Sequence, residues 1–259
     1  LRSFKVDVAR VVTPVASAVL LDVDFGLDPV LAAGVLDPRC GLIVAADALT
    51  QEPGAAVEDT ALDERIRPDE VRAAGAVALK LLVLWRGGAG GAAVVDLARR
   101  FVDRCRHAGL LSVLEPVTRP AGDPDGWDRE PAILEAAEAL GSLGADLYKA
   151  EVPLHGRGDP DAITVACDAI GKRVAGPWVV LSQGVEPDDF PTAVEAACRG
   201  GASGFLAGRA VWTDSIGPGG RLDLCERLEH IARPRFEALA TIADRLGRPW
   251  REALAAERP

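Results

Sequence analysis

Short apolar runs recur along the chain at intervals of roughly 25–35 residues, and helix-like amphipathic stretches lie between them. Continuous runs of Val, Leu and Ile are typical of strands that are buried on both faces, as in parallel sheets. We therefore predict seven strands, at Ala18–Val23, Leu42–Ala46, Ala78–Trp85, Leu110–Val117, Asp146–Val152, Trp178–Ser182 and Gly204–Val211. The helices predicted between them include Ala92–Ala108, Glu130–Leu143, Asp161–Val174 and Asp188–Gly200.

This alternation of strand and helix predicts an α/β fold with right-handed crossovers. The 259 residues suit a single (β/α)8 TIM barrel domain over residues 1–259, with helices in Asp223–Ala256 covering its outside. The chain opens at Leu1 in a helical pattern and contains no Met, so we expect the first barrel strand to lie outside it. An open, doubly wound sheet is the alternative, but no G-x-G-x-x-G follows a strand.

The composition argues against two classes of binding partner and indicates the cellular compartment. A formal net charge of −10 argues against nucleic acid and anionic membranes as partners, because both require a basic face. No apolar run reaches the ~20 residues of a membrane helix. The five cysteines are odd in number and form no C-x-x-C, which favours reduced thiols in a cytoplasmic protein. The three histidines are too far apart in sequence to indicate a metal site, and no motif indicates a cofactor.

Two lysines lie inside predicted strands, although the chain has only four lysines against 25 arginines. Lys80 lies in Ala78–Trp85 and Lys149 lies in Asp146–Val152. Burial disfavours the ammonium form, so a strand lysine is a candidate nucleophile towards carbonyl groups, which an arginine is not. The alternative is a lysine that pairs with a carboxylate to stabilise the barrel.

Carboxylates accompany the two lysines. Glu115 ends the run on the strand between them, and Glu151 shares a strand face with Lys149. Alternate barrel strands contribute to one interior layer, so we expect Lys80 and Lys149 to approach each other. The carboxylates either neutralise the site or transfer protons, and both roles require the same placement.

The last two predicted strands lead into glycine-containing turns. Ser182 and Gly184 follow the seventh barrel strand, while Gly208 and Arg209 follow the eighth. In barrels, these two loops frequently bind phosphate through backbone N–H groups, and an arginine grips an anion with two hydrogen bonds. We therefore predict a phosphate site here.

Five segments together resemble one known family. They are Ala78–Arg86 (ALKLLVLWR), Leu110–Pro116 (LLSVLEP), Ala145–Pro153 (ADLYKAEVP), Trp178–Val185 (WVVLSQGV) and Ala202–Trp212 (ASGFLAGRAVW). They resemble the bacterial class I tagatose-bisphosphate and sulfofructosephosphate aldolases, and the similarity covers nearly the whole chain.

This resemblance implies a lyase that cleaves a ketose phosphate without a metal or cofactor, and usually a homo-oligomer. It implies that Lys149 is the Schiff-base lysine and that Lys80 and Glu115 are polar active-site residues. Ser182, Gly184, Gly208 and Arg209 correspond to the anion-binding turns.

Arginines favour the sulfofructosephosphate branch within the family. They are Arg86, Arg119 in the stretch Pro116–Pro120, and Arg129 in Asp128–Glu130. In that branch the products are dihydroxyacetone phosphate and sulfolactaldehyde, and we predict Arg86 as a further substrate contact. The alternatives are a tagatose-1,6-bisphosphate aldolase, a phosphate-binding barrel isomerase or metal-dependent aldolase, and a non-catalytic sugar-phosphate sensor.

Overall fold

The computed structural model describes residues 1–52, 55–122, 125–182 and 184–255. Nine strands are present in these ranges. They are β1 (Ala18–Leu21), β2 (Gly41–Ala45), β3 (Asp47–Thr50), β4 (Asp59–Leu62), β5 (Ala76–Trp85), β6 (Leu111–Thr118), β7 (Leu147–Glu151), β8 (Trp178–Leu181) and β9 (Phe205–Leu206).

Eleven α-helices occupy the same ranges. They are α1 (Arg2–Val12), α2 (Leu27–Ala33), α3 (Pro68–Ala73), α4 (Gly91–Ala108), α5 (Arg129–Leu140), α6 (Pro160–Gly171), α7 (Phe190–Arg199), α8 (Arg209–Trp212), α9 (Arg221–Arg227), α10 (Arg233–Leu246) and α11 (Trp250–Ala255). Within the described ranges, no helix has both the length and the apolar character needed to cross a membrane.

Seven strands form one parallel sheet in the order β1-β2-β5-β6-β7-β8-β9, so barrel neighbours follow each other along the chain. Each crossover carries at least one helix, which explains why the strands are parallel and the sheet is wound in one direction. The sheet curls as in a (β/α)8 barrel. The predicted α/β barrel architecture is confirmed, with seven of its parallel strands in the described chain.

Both faces of this sheet bury apolar side chains, as the continuous apolar runs predict. The larger core lies between the strands and the helices and includes Phe101, Ile163 and Phe190. A separate, smaller cluster consists of Ile43, Ala78 and Val113, with Leu147 and Leu206 packed against it. We call this second cluster the apolar floor. Together with Ala18 and Leu20 of β1, its members come from six barrel strands, so it lies on the inner face of the sheet.

Two parts of the strand prediction were wrong. Gly204–Val211 was predicted as one strand, but only Phe205–Leu206 is extended, and α8 begins at Arg209. Ala210 and Val211 are apolar because they are buried in that helix, and a short apolar run does not distinguish a strand from a buried helix. The antiparallel hairpin β3–β4 was not predicted, because its strands are four residues long and half exposed.

A reciprocal pair connects the starts of β6 and β7. Asp146 Oδ2 accepts hydrogen bonds of 2.8 Å from both the backbone N–H and the hydroxyl of Ser112. Ser112 Oγ in turn accepts a 3.0 Å bond from the Asp146 N–H, and both residues are buried. This pair fixes the relative register of the strands that carry Glu115 and Lys149.

We expect Asp146→Ala to lower the free energy of unfolding by about 2 to 4 kcal/mol, because buried Ser112 groups lose their acceptor. Urea unfolding followed by circular dichroism measures this. The matched control is Asp103→Ala, which removes an exposed 3.1 Å ion pair with Arg106 on α4 and should cost less than about 0.5 kcal/mol. Equal losses for the two variants would contradict the proposed role of Asp146.

Candidate active site

Three neighbouring strands place the predicted residues Lys80, Glu115 and Lys149 on the inner face of the sheet. Alternate residues of a strand share a face, and each of the three follows a floor residue by two positions: Ala78, Val113 and Leu147. The strand register pairs Val113 with both Lys80 and Leu147. The cluster therefore lies directly above the apolar floor, towards the carboxyl ends of the strands.

Glu115 bridges the two lysines. Its Oε1 lies 2.7 Å from the Lys149 Nζ, and its Oε2 lies 3.2 Å from the Lys80 Nζ. All three side chains are buried. The predicted approach of the two lysines is confirmed, with one carboxylate between them.

Asp47 completes the cluster and was not singled out in the sequence. Its Oδ1 lies 2.7 Å from the Lys80 Nζ and accepts a 3.3 Å hydrogen bond from the Leu82 N–H. The available signal was its position, since it is the first charged residue after the apolar run Leu42–Ala46. That signal had little weight because the run was followed by a segment of unrecognised structure, the hairpin β3–β4.

The pKa values of the two lysines move in opposite directions. Burial lowers the pKa of Lys149 below its ordinary value of 10.5; the charge of Glu115 opposes this shift and that of Lys80 adds to it. Burial also acts to lower the pKa of Lys80, but the carboxylates of Glu115 and Asp47 outweigh it, and the pKa is raised. Burial acts to raise the pKa of Glu115, yet the two ammonium groups hold it below 4.5.

These shifts define the chemistry that the cluster supports. Lys149 is the group that most readily becomes a neutral amine, and a neutral amine adds to a carbonyl carbon. Glu115 lies within hydrogen-bond distance of it and can accept or return a proton. Lys80 retains its proton more readily at the same place, and a cation there is able to stabilise negative charge on a nearby oxygen.

Glu151 does not join the lysines, although it shares their strand face. Its Oε2 accepts hydrogen bonds from the backbone N–H and the hydroxyl of Thr118, at 2.7 and 2.6 Å. Arg129 lies 3.4 Å from the other oxygen. Glu151 therefore connects β7 to the end of β6 and the start of α5, next to the cluster.

The two predicted anion-binding turns begin side by side. Strands β8 and β9 pair in parallel through Leu181 and Leu206, so Ser182 and Gly208 follow neighbouring strand ends. Gly184 has φ +73°, a conformation that favours glycine. Arg209 is exposed and makes no side-chain hydrogen bond or ion pair within the described ranges. A free guanidinium beside two turns is available for an anionic ligand.

Arg86 lies apart from the lysine cluster. It follows the last residue of β5 and is exposed. Its two terminal nitrogens donate to the carbonyl oxygens of Pro120, at 3.0 Å, and Glu58, at 2.7 Å. These contacts join two loops at the mouth of the barrel, and substrate contact by Arg86 stays a prediction.

Among the residues that the structure describes, no group of three or more His, Cys, Asp or Glu side chains has an arrangement that could hold a metal ion. Asp47 and Glu115 are instead neutralised by the two lysines.

Sequence comparisons point to one family. A model of the DeoC/LacD family of aldolases matches residues 1–214. The tagatose 1,6-diphosphate aldolase of Listeria monocytogenes is 26% identical over 95% of this chain and 80% of its own length. Tagatose 1,6-diphosphate aldolase 2 of Streptococcus pyogenes is 27% identical over 95% of this chain and 83% of its own length.

Solved structures support the fold. The fructose-bisphosphate aldolase of Plasmodium falciparum superposes with a TM-score of 0.70 at 14% identity, covering 95% of this chain and 83% of that one. The fructose-bisphosphate aldolase of Slackia heliotrinireducens has a TM-score of 0.59 at 19% identity, covering 95% of this chain and 77% of that one. The architecture is therefore that of α/β aldolases.

The opposite pKa shifts of Lys149 and Lys80 can be measured by NMR, because the chain has only four lysines and their signals can be resolved. In protein labelled with [ε-13C]lysine, we expect the Lys149 signal to titrate below pH 10.5 and the Lys80 signal above it, because Lys80 faces a second carboxylate. Variants that each lack one of the four lysines assign the signals. A Lys80 midpoint below that of Lys149 would contradict this electrostatic account.

Proposed function

The chain belongs to the DeoC/LacD family of class I aldolases, which are carbon–carbon lyases, and on this basis we propose that it cleaves a ketose 1-phosphate through a Schiff base on Lys149. The observation that supports the proposal most is the contact of the buried Lys149 amine with Glu115, at 2.7 Å, beside a second, more basic lysine. This arrangement supplies a nucleophile, a proton acceptor and a fixed cation in one interior layer.

The first proposed step forms the Schiff base. The neutral Lys149 Nζ adds to the C2 ketone, and the resulting carbinolamine loses its hydroxyl group as water, which leaves an iminium ion. Glu115 accepts the proton that the amine loses and returns one to the departing hydroxyl group. Lys80 stabilises the oxygen while it carries negative charge.

The second step breaks the C3–C4 bond. Glu115 is the first candidate to remove the proton from the C4 hydroxyl group, with Lys80 steering that hydroxyl. The electron pair of the broken bond moves into the iminium, which becomes the enamine of dihydroxyacetone phosphate, and the aldehyde departs. Protonation at C3 and hydrolysis of the imine regenerate the Lys149 amine.

The phosphate on C1 is proposed to bind at the turns that contain Ser182, Gly184, Gly208 and Arg209. These turns follow β8 and β9, while Lys149 is on β7, which pairs directly with β8. Binding energy from the phosphate would hold the C2 carbonyl against the amine, which reduces the entropic cost of the reaction.

Two ketose phosphates are candidate substrates. Tagatose 1,6-bisphosphate is supported by the names of the relatives that match nearly the whole chain. Sulfofructose 1-phosphate is supported by the arginines that resemble the sulfofructosephosphate branch. In the structure Arg86, Arg119 and Arg129 all donate hydrogen bonds to backbone carbonyls, which weakens the second candidate.

We expect Lys149→Met to reduce kcat for cleavage of both ketose phosphates by at least about 10⁴-fold, because covalent catalysis is lost. A coupled assay for dihydroxyacetone phosphate measures this. Lys172→Met is the matched control, since Lys172 is exposed and, among the described residues, forms its ion pair with Asp168 one helical turn away; the activity of this variant should be unchanged. The ratio of kcat/KM for the two ketoses identifies the substrate.

Other outcomes would contradict the proposal. Cleavage that persists in Lys149→Met would require another mechanism. Binding of both ketose phosphates without cleavage by the unmodified protein would indicate a sensor in place of an enzyme. Loss of activity on treatment with a chelator would indicate a metal-dependent reaction.

A further inference from the structure

The two lysines of the cluster are alike in their burial and in their contact with Glu115. The side chain of Lys80 is 7% exposed and that of Lys149 is 9% exposed, and both contact Glu115. Both are on the inner face of the sheet above the apolar floor. Burial alone therefore does not explain why only one of them should react with a carbonyl group.

Asp47 is the feature that distinguishes them. It lies 2.7 Å from Lys80, which therefore faces two carboxylates, whereas Glu115 is the one carboxylate in ion-pair contact with Lys149 among the described residues. Asp47 is held in place by the Leu82 N–H, and its side chain is only 4% exposed. Because water has little access to it, its charge acts on Lys80 with little screening.

We propose that Asp47 is the positioning residue that selects the reactive lysine: by holding Lys80 as an ammonium ion, it leaves Lys149 as the amine that forms the Schiff base. The inference rests on the proposed function, since it presupposes a Schiff base in this cluster. Asp47 acts through Lys80 and needs no contact with the substrate.

The electrostatics agree with this assignment. The pKa of Lys80 is raised although the side chain is buried, and Asp47 contributes to the rise through its charge and its hydrogen bond. The charge retained on Lys80 in turn lowers the pKa of Lys149. The direct attraction between Asp47 and Lys149 opposes that effect, but the two groups share no hydrogen bond.

The test locates the Schiff base chemically. Dihydroxyacetone phosphate condenses with a lysine amine and loses water, and sodium borohydride then delivers hydride to the imine carbon, which leaves a stable secondary amine. Peptide mapping identifies the modified lysine. In the unmodified protein, we expect the adduct on Lys149 alone.

The decisive variant is Asp47→Asn, which keeps the shape of the side chain and an oxygen acceptor for the Leu82 N–H but removes the charge. We expect the ratio of Lys80 adduct to Lys149 adduct to rise at least about tenfold, the effect of one pKa unit on the amine fraction. In a Lys149→Met background, Asp47→Asn should create an adduct on Lys80 that Lys149→Met alone lacks. Asp47→Glu, which retains the charge, should keep the adduct on Lys149.

The outcomes separate this inference from the proposed function. An adduct that stays on Lys149 in folded Asp47→Asn, with none on Lys80 in the double variant, would overturn the role of Asp47 and leave the proposed function intact. If the unmodified protein binds dihydroxyacetone phosphate and forms no adduct, both fall. If Asp47→Asn does not fold, the lysine titrations of the unmodified protein decide: a Lys80 midpoint above that of Lys149 supports the role, and the reverse order overturns it.

Discussion

The structure depends on the mutual neutralisation of two ammonium groups and two carboxylates inside the barrel. A buried charge without a partner costs several kcal/mol, and removal of one member of a buried pair typically costs about 3–5 kcal/mol. Lys80, Lys149, Glu115 and Asp47 avoid this cost because each lies within 3.2 Å of an opposite charge. The apolar floor below them limits access of water, so the same contacts that stabilise the cluster also set its proton affinities.

The parallel sheet is what makes this cluster possible. Lys80, Glu115 and Lys149 come from three barrel strands, and each must be on the inner face of the sheet, while Asp47 is the first residue of β3, two positions after the end of β2. A shift of one residue in any strand would turn its charged side chain towards the helices. The Ser112–Asp146 pair fixes the register at the start of β6 and β7, and the contact of Glu151 with Thr118 fixes it at their other end. The register of the strands therefore determines whether the four charged side chains meet in the interior of the barrel.

The sequence was informative where one residue type was out of place. A lysine in a buried strand is costly, so Lys80 and Lys149 identified the interior layer, and the apolar runs identified all seven barrel strands. Asp47 was harder to find because its role depends on an ion pair with Lys80, 33 positions away, and the local sequence pattern does not show such a pairing. Arg86 is a different case: the resemblance to the sulfofructosephosphate branch suggested a ligand contact, which stays a prediction, and in the structure its terminal nitrogens donate to loop carbonyls. The strand predicted from Gly204 to Val211 was too long, because a buried helix and a buried strand contain the same kinds of apolar residue.

The proposed mechanism requires Lys149 to be the neutral amine that attacks the substrate carbonyl. A crystal structure of the protein soaked with dihydroxyacetone phosphate shows whether this bond forms. We expect continuous density between the Lys149 Nζ and C2 of the ligand, with Lys80 still in contact with Asp47 and the phosphate at the turns that contain Gly184 and Gly208. Ligand bound in the barrel with its C2 carbonyl intact and Lys149 still paired with Glu115, or bonded covalently to Lys80, would contradict it.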